Sequence, residues 1–418
     1  MAKAKKKYNP AEAKAQAMRH KKRFMERIAY MCDMLAGPGI FKKFPPAALE
    51  QIYESRYPAL KAKAAPGSDM SKSLVIQFNK LMNRFMEDQF IGLTNGNKVP
   101  LNLLFSEGLI LINYVSVMSD NYFAHADQVR ESLSDYFPET ESHDLIMDMM
   151  ATLMQDVTLF LSDYNRSIIK ADINQTAACN MLSQHNDIMI HEFKTEKSSM
   201  IIDGEKRVVY RLGWVDPELK QVWSKIKPSQ LGFQSRGIDM PLDVYIQQHA
   251  LNRLQERIDI TPGIMHSIVF LTFEQDDIEY HRENSRSLVP FYISDEKVGY
   301  LLVTLDDNRF IIRTFLFLTN DNTPEGRKLQ KLIDLEKEDK KHLMIDKLST
   351  FNAYHIHQNE KLSKLFTDAG CGSLLKLSHL QEFSQHEISD KDPESILKYL
   401  ADAEYFTGQA AHPHESSL

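Results

Sequence analysis

The hydrophobic spacing of this chain changes period partway along, and that change limits the architectures open to it. Up to about Tyr164 apolar residues recur every three or four positions, the signature of amphipathic helices. The clearest case follows Ser142-His143-Asp144, where Ile146, Met149, Met150, Leu153, Val157, Phe160, Leu161 and Tyr164 share one helical face. After Asn186 the period drops to two. Ile188 and Ile190 alternate with their neighbours, and Met200-Ile201-Ile202 and Val208-Val209-Tyr210 flank Asp203-Gly204, a dipeptide suited to a tight hairpin. Helical spacing returns after Leu329 through Leu332, Leu335, Leu343, Ile345 and Leu348. Helices, then strands, then helices predict an α+β fold. It would have a mainly helical N-terminal domain, a small α/β module with an antiparallel meander, and a helical C-terminal region.

Breaker residues set the expected boundaries. Gly37-Pro38-Gly39 ends the first helix, so residues 1–40 form a basic arm and helix. Residues 41–185 form a helical domain, with helices over Ser71–Phe90 and Leu101–Met118 split by a turn at Thr94-Asn95-Gly96-Asn97. Residues 186–238 hold a β-hairpin and a linker, Pro228 to Gly237. Residues 239–334 form the α/β module. Residues 335–418 are helical, with helices near Leu374–Phe383 and Pro393–Tyr405 and a polar tail from Gly408. The methionines of the long helix, Met147, Met149, Met150 and Met154, suit core filling more than an adaptable binding surface.

The chain has 418 residues, 43% hydrophobic and 26% charged, the balance of a globular protein. Its longest apolar stretch, Leu101 to Met118, is broken by Asn102, Ser106, Glu107 and Asn113, so no membrane span is expected. The N-terminus lacks the apolar region of a secretory signal. Three scattered cysteines, Cys32, Cys179 and Cys371, fit a reducing, cytoplasmic setting rather than a disulfide framework. The net charge of −7 hides a basic arm that includes Lys5, Lys6, Lys7, Lys21, Lys22 and Arg23. Such an arm on an acidic body can touch nucleic acid, an anionic surface or its own protein, or simply keep the chain soluble.

The stretch Asp243–Asp259 reads DVYIQQHALNRLQERID and is expected to be one helix. Ala250, Leu251, Leu254 and Ile258 gather on one side, and His249, Arg253, Glu256 and Arg257 on the other. Strands follow over Leu288–Ile293, Val298–Leu305 and Arg309–Leu318, with Pro290 restricting the first to an edge and Asp306-Asp307-Asn308 turning between the last two. Arg313 sits in the final strand, and Arg327 and Lys328 follow it. A helix reading His-Ala-x-x-Arg-x-x-Glu-Arg before a meander that ends in an Arg-bearing strand resembles the small bacterial toxin ribonucleases of the RelE/BrnT type. It is closer still to the domains with HAxxRxxxR helices grouped with them. The resemblance spans about 80 residues by motif position alone. Its departures are the chain's large size and acidic charge, and the segment Asn320–Arg327 where those toxins close on arginines.

The resemblance implies a metal-independent endoribonuclease or an RNA- or phosphate-binding module that needs no cofactor. His249 would act as base or acid, Arg253, Arg257 and Arg313 would hold the phosphate, and Glu256 would complete the catalytic set. Arg327 and Lys328 would join the basic arm in binding nucleic acid. The alternative is a non-enzymatic interaction protein whose helical domains bind another protein and whose polar helix face is only solvated. Other groupings carry less. His355-x-His357 with His342 or Glu360 has the makings of a metal site but sits in helical or looped sequence. His191-Glu192 reads as structural, and Asp295-Glu296-Lys297 lacks a carboxylate on a preceding strand. His412 and His414 fall in the polar tail. P-loop, dinucleotide-binding, HExxH and GxSxG motifs do not occur.

Overall fold

The computed structural model describes residues 10–56, 60–174, 187–233, 239–335, 337–384, 386, 388–401 and 404–407. The fold is α+β. The chain forms two compact units, Met1–Thr158 with Ile169–Glu192, and Leu159–Ile168 with Phe193–Leu418. Among the described residues no helix is long and apolar enough to cross a membrane.

In the first unit α1 (Pro10–Ala36) buries Phe24, Ile28, Met31, Cys32 and Leu35. Gly37 follows at φ 89°, a left-handed backbone that glycine adopts most readily at a helix end. After α2 (Pro46–Glu54) come a short strand, β1 (Ala62–Ala64), and α3 (Lys72–Asp88), whose cap Ser71 accepts the Leu74 N–H at 3.2 Å. The turn at Thr94–Asn97 joins two strands the sequence did not announce, β2 (Phe90–Gly92) and β3 (Lys98–Pro100). Then α4 (Leu101–Leu103) runs through a π turn, Leu104–Gly108, into α5 (Leu109–Ser116). The π turn sets Glu107 inside, 5% exposed and 3.3 Å from Arg27 of α1. Helices α6 (Ala126–Leu133) and α7 (Glu141–Leu161) follow.

The stretch expected to form a helical domain, 41–185, also supplies two strands, β1 and β4 (Ser167–Asn174), to a three-stranded sheet ordered β1-β5-β4, whose middle strand is β5 (Asp187–Lys194). Strand β1 escapes a sequence reading because Ala62-Lys63-Ala64 is too short for alternation to register. Its outer edge is held by Asn79, whose side chain accepts the Ala62 N–H at 2.9 Å and donates to the Ala62 carbonyl at 3.0 Å.

The second unit is built on an eight-stranded sheet. The segment read as a hairpin connector supplies its far edge, β6 (Lys197–Ile202) and β7 (Glu205–Arg211), joined at Asp203-Gly204. A small hairpin, β8 (Gly213–Val215) and β9 (Gln221–Trp223), carries both tryptophans, and β10 (Lys225–Ile226) pairs with β11 (Leu242–Gln247). The helix expected from Asp243 therefore begins later. Residues up to Gln247 are strand, because Val244 and Ile246 alternate with Asp243 and Tyr245, a period concealed by the helical spacing that adjoins it. Helices α8 (Gln248–Ile258) and α9 (Pro262–Phe273) follow, then β12 (His281–Glu283), β13 (Arg286–Ile293), β14 (Glu296–Asp306) and β15 (Arg309–Phe317).

The strand order is β12-β13-β14-β15-β11-β7-β6, with β11 parallel to β15 and the other neighbours antiparallel. Strand β12 pairs no further than Leu288, so β13 is an edge where Pro290 lies, the place for a residue without an N–H. One face packs Val244, Ile246, Phe310 and Ile312 with Leu251 and Leu254 of α8. The other carries Ile202, Val209 and Ile311. Helices α10 (Pro324–Ile333), α12 (Leu348–Ala353) and α13 (Glu360–Asp368) extend the main core, with the charged α11 (Lys337–His342) between the first two. The helix expected near Leu374–Phe383 is instead two 3-10 stretches, Gly372–Lys376 and Ser378–Phe383. That near Pro393–Tyr405 is a pair of short helices, α14 (Glu394–Tyr399) and α15 (Glu404–Thr407).

Two buried polar groupings fix elements of this unit. The Tyr164 hydroxyl donates to the Arg211 carbonyl at 2.5 Å and accepts the Gly213 N–H at 2.6 Å, while the Tyr164 N–H donates to Nδ1 of His266 at 2.9 Å. Burial pushes the His266 pKa down to about 4, so the ring is a neutral acceptor. Close by, Gly263 allows α9 to pass where an added Cβ would lie 2.0 Å from the Leu159 carbonyl oxygen. At the start of α10, Glu325 is 7% exposed and one of its oxygens is 2.7 Å from Lys297 Nζ and 2.9 Å from the Tyr300 hydroxyl. Its other oxygen has no partner among the described residues. Burial and the Glu325 charge both push the Tyr300 hydroxyl up.

Candidate functional site

Strand β11 stops at Gln247 and the chain turns into α8. The first turn of α8 is pinned by Gln248, which accepts from the Tyr210 hydroxyl at 2.6 Å and donates to Asn165 at 2.5 Å and Asn252 at 3.1 Å. Leu251, Leu254 and Ile258 face the core, and this leaves His249, Arg253 and Glu256 on the outer face. His249 is exposed, yet its pKa is lowered. Partial desolvation is the largest cause, and the guanidiniums of Arg253 and Arg207 add to it. The imidazole thus stands beside two guanidiniums, each of them paired with a carboxylate, Arg253 with Glu256 and Arg207 with Glu205. Arg207, on β7, escaped the sequence reading because its place beside α8 depends on the pairing of β7 with β11.

The cations named from the sequence fare differently. Arg253 is half-exposed and bonds Glu256 at 2.6 Å. Arg257 turns away into an ion pair with Asp346, each side chain 14% exposed, and donates to the Asp346 carbonyl at 3.2 Å. Arg313 is the extra residue of a β-bulge, since Leu302 pairs with Thr314 and Val303 with Ile312. A bulge re-aims a side chain, and here the guanidinium pairs with the exposed Asp203 of the β6–β7 turn. Its partner therefore lies at the end of the sheet beyond Gln247, the end at which α8 starts. Arg327 bonds Glu283 at 2.9 Å and Lys328 is exposed on α10. In the first unit Lys21 pairs with Glu50, Lys22 lies 3.8 Å from Glu26, and Arg23 is exposed. Lys5, Lys6 and Lys7 lie outside the described residues, as do Cys179, His412 and His414.

Among the described residues no group of three His, Cys, Asp or Glu side chains could hold a metal ion. His355, named above as a metal candidate with His357, has the Asp390 carboxylate at 3.1 Å. A carboxylate–imidazole pair that the sequence gave no reason to join, Asp259 with His386, closes the far end of α8 at 2.6 Å. Comparison with protein-family models, curated proteins and solved structures finds no match to this chain.

Proposed function

We propose that the outer face of α8, where β11 ends, binds the phosphate backbone of RNA, and that His249 serves there as the base of a metal-independent cleavage. The observation that carries this reading is the placing of His249 on the outer face of α8 between Arg253 and Arg207, which together with partial burial hold its pKa below the ordinary value. A neutral imidazole can take the proton of a ribose 2′-hydroxyl, whose oxygen attacks the adjacent phosphorus. The 5′-oxygen leaves with a proton from water and a cyclic phosphate remains. Guanidiniums suit the charge that builds on the phosphate oxygens.

The pairs Arg253–Glu256 and Arg313–Asp203 each have a partly or well exposed carboxylate and are worth about 0–1 kcal/mol, so a phosphate can displace the acid. Arg257, held by Asp346, positions α12 relative to α8 rather than a substrate. On this reading the protein works in the cytoplasm on RNA or the ribosome, and Lys21, Lys22, Arg23, Arg327 and Lys328 add affinity. The test is total RNA incubated with the protein in EDTA, beside His249→Ala and Arg253→Ala. The wild type should cleave, with His249→Ala slower by about 10²- to 10⁴-fold. Its rate should rise with pH and level off below about pH 6.5, because the base is already deprotonated there. No cleavage by the wild type, or equal cleavage by all three, ends the proposal.

A second reading, a non-enzymatic interaction protein, is favoured by the carboxylate that already meets each of Arg253, Arg257 and Arg313. It is also favoured by an apolar groove of about 780 Å³ in the first unit, lined by Met70, Val75 and the exposed Ile76. RNA retention that falls steeply with salt would separate the two.

A further inference from the structure

Beyond its last turn α8 borders a cleft of about 710 Å³, within the range of small-molecule sites. Asn252, Gln255, Glu256 and Asp259 form one wall, and the residues around Met344, Lys347, His386 and Lys391 form the rest. Asp259 ends the helix in the left-handed conformation, φ 61°, and is only 6% exposed. One of its oxygens accepts the Ser384 hydroxyl at 2.6 Å and the other lies 2.6 Å from Nδ1 of His386. The carboxylate therefore fixes the ring through Nδ1 and leaves Nε2 free to meet a ligand.

The charges along this cleft are unevenly satisfied. Both acids are engaged, Asp259 as just described and Glu256 with Arg253 at 2.6 Å and Arg257 at 3.6 Å. Among the described residues the two lysines have no counter-charge: neither Lys347 nor Lys391 pairs with a carboxylate. Lys391 lies 3.4 Å from the Met344 sulfur and 5.3 Å from the centre of the Tyr354 ring. Both lysine side chains are half-buried and line the cleft, so a bound anion would supply the counter-charge that no carboxylate gives them. Two ammoniums match the double negative charge of a phosphomonoester better than the single charge of a carboxylate. Met344 and Ile388 offer apolar surface that inorganic phosphate would leave unused.

We infer that this cleft binds an organic phosphomonoester of nucleotide size, with Lys347 and Lys391 at its phosphate, His386 held by Asp259 against it, and its apolar part along Met344 and Ile388. The inference does not rest on RNA cleavage at His249. Loss of cleavage in His249→Ala with binding here unchanged would leave it standing.

The test is calorimetric titration of the full chain with adenosine 5′-monophosphate, adenosine and inorganic phosphate. The monophosphate should bind in the millimolar range or tighter, and each of the other two at least about tenfold more weakly, a difference of about 1.4 kcal/mol. Lys347→Gln with Lys391→Gln should weaken the monophosphate by at least about tenfold at unchanged thermal midpoint. Asp259→Asn should also weaken it, by freeing the His386 ring. Lys364→Gln, a surface lysine that pairs with Asp368 away from the cleft, should leave binding unchanged. Absence of binding at millimolar monophosphate, equal affinity for phosphate alone, or undiminished binding in the double lysine variant overturns the inference.

Discussion

Two charged groupings in the second unit, each on a helix that follows a strand, differ in almost every physical respect. On the outer face of α8, Arg253 and Glu256 neutralise one another three residues apart on the same helix. At the start of α10 the charges face inward. Glu325 there meets Lys297 and Tyr300 of β14, from 28 and 25 residues away, and its second oxygen has no partner among the described residues. In the first case water can replace either partner at little cost. In the second each group is largely withdrawn from water and depends on the others. The face that looks like chemistry in the sequence is loosely held, and the grouping that binds the structure together is invisible there.

That contrast is open to direct measurement by chemical denaturation. Glu325→Gln should cost about 3 kcal/mol or more, because it removes the counter-charge of the part-buried Lys297. A cost no larger than that of a surface substitution would erase the distinction.

Acid should act on another interior group. His266 titrates at about 4 when folded and near 6.5 when unfolded, so the unfolded chain binds the extra proton first as pH falls. Stability from this group is complete above about pH 6.5 and declines by about 3 kcal/mol as pH drops towards 4. His266→Gln, which keeps an acceptor and removes the titration, should flatten that decline in urea unfolding at pH 7 and pH 4.5. An unchanged slope would show that other groups govern it.

Tyr300→Phe removes one hydrogen bond to Glu325 and should cost about 1 kcal/mol. The smallest effect belongs to the outer face, where Arg253→Ala should change stability by less than about 1 kcal/mol even if it abolishes RNA binding. A stability loss matching that of Glu325→Gln would move Arg253 from the surface grouping into the interior one.

What could be read from the sequence divides along the same line. The α+β class, the long helix (read on to Tyr164, where the structure ends it at Leu161) and the hairpins at Asp203-Gly204 and Asp306–Asn308 are local. Periodicity and turn chemistry act over ten or twenty residues and leave a record in any such window. The apolar side of α8, Leu251, Leu254 and Ile258, was legible for that reason. Its start was not, since Val244 and Ile246 belong to a strand whose partners, β7 and β15, lie tens of residues away on either side. The candidate site divides likewise. His249, Arg253 and Glu256 share a face by helical geometry alone. Arg207 beside His249, Asp346 opposite Arg257 and His386 against Asp259 are brought together by tertiary pairing, and no spacing rule reaches across 127 residues.

The ten residues Leu159–Ile168 belong to the second unit although the chain on both sides of them belongs to the first. Ribosomal synthesis thus delivers Tyr164 before Arg211, Gly213 and His266, the groups it hydrogen-bonds, exist. No single cleavage separates the two units intact. A fragment starting at Phe193 would lack Tyr164 and leave the Gly213 N–H and His266 Nδ1 to find water inside a core.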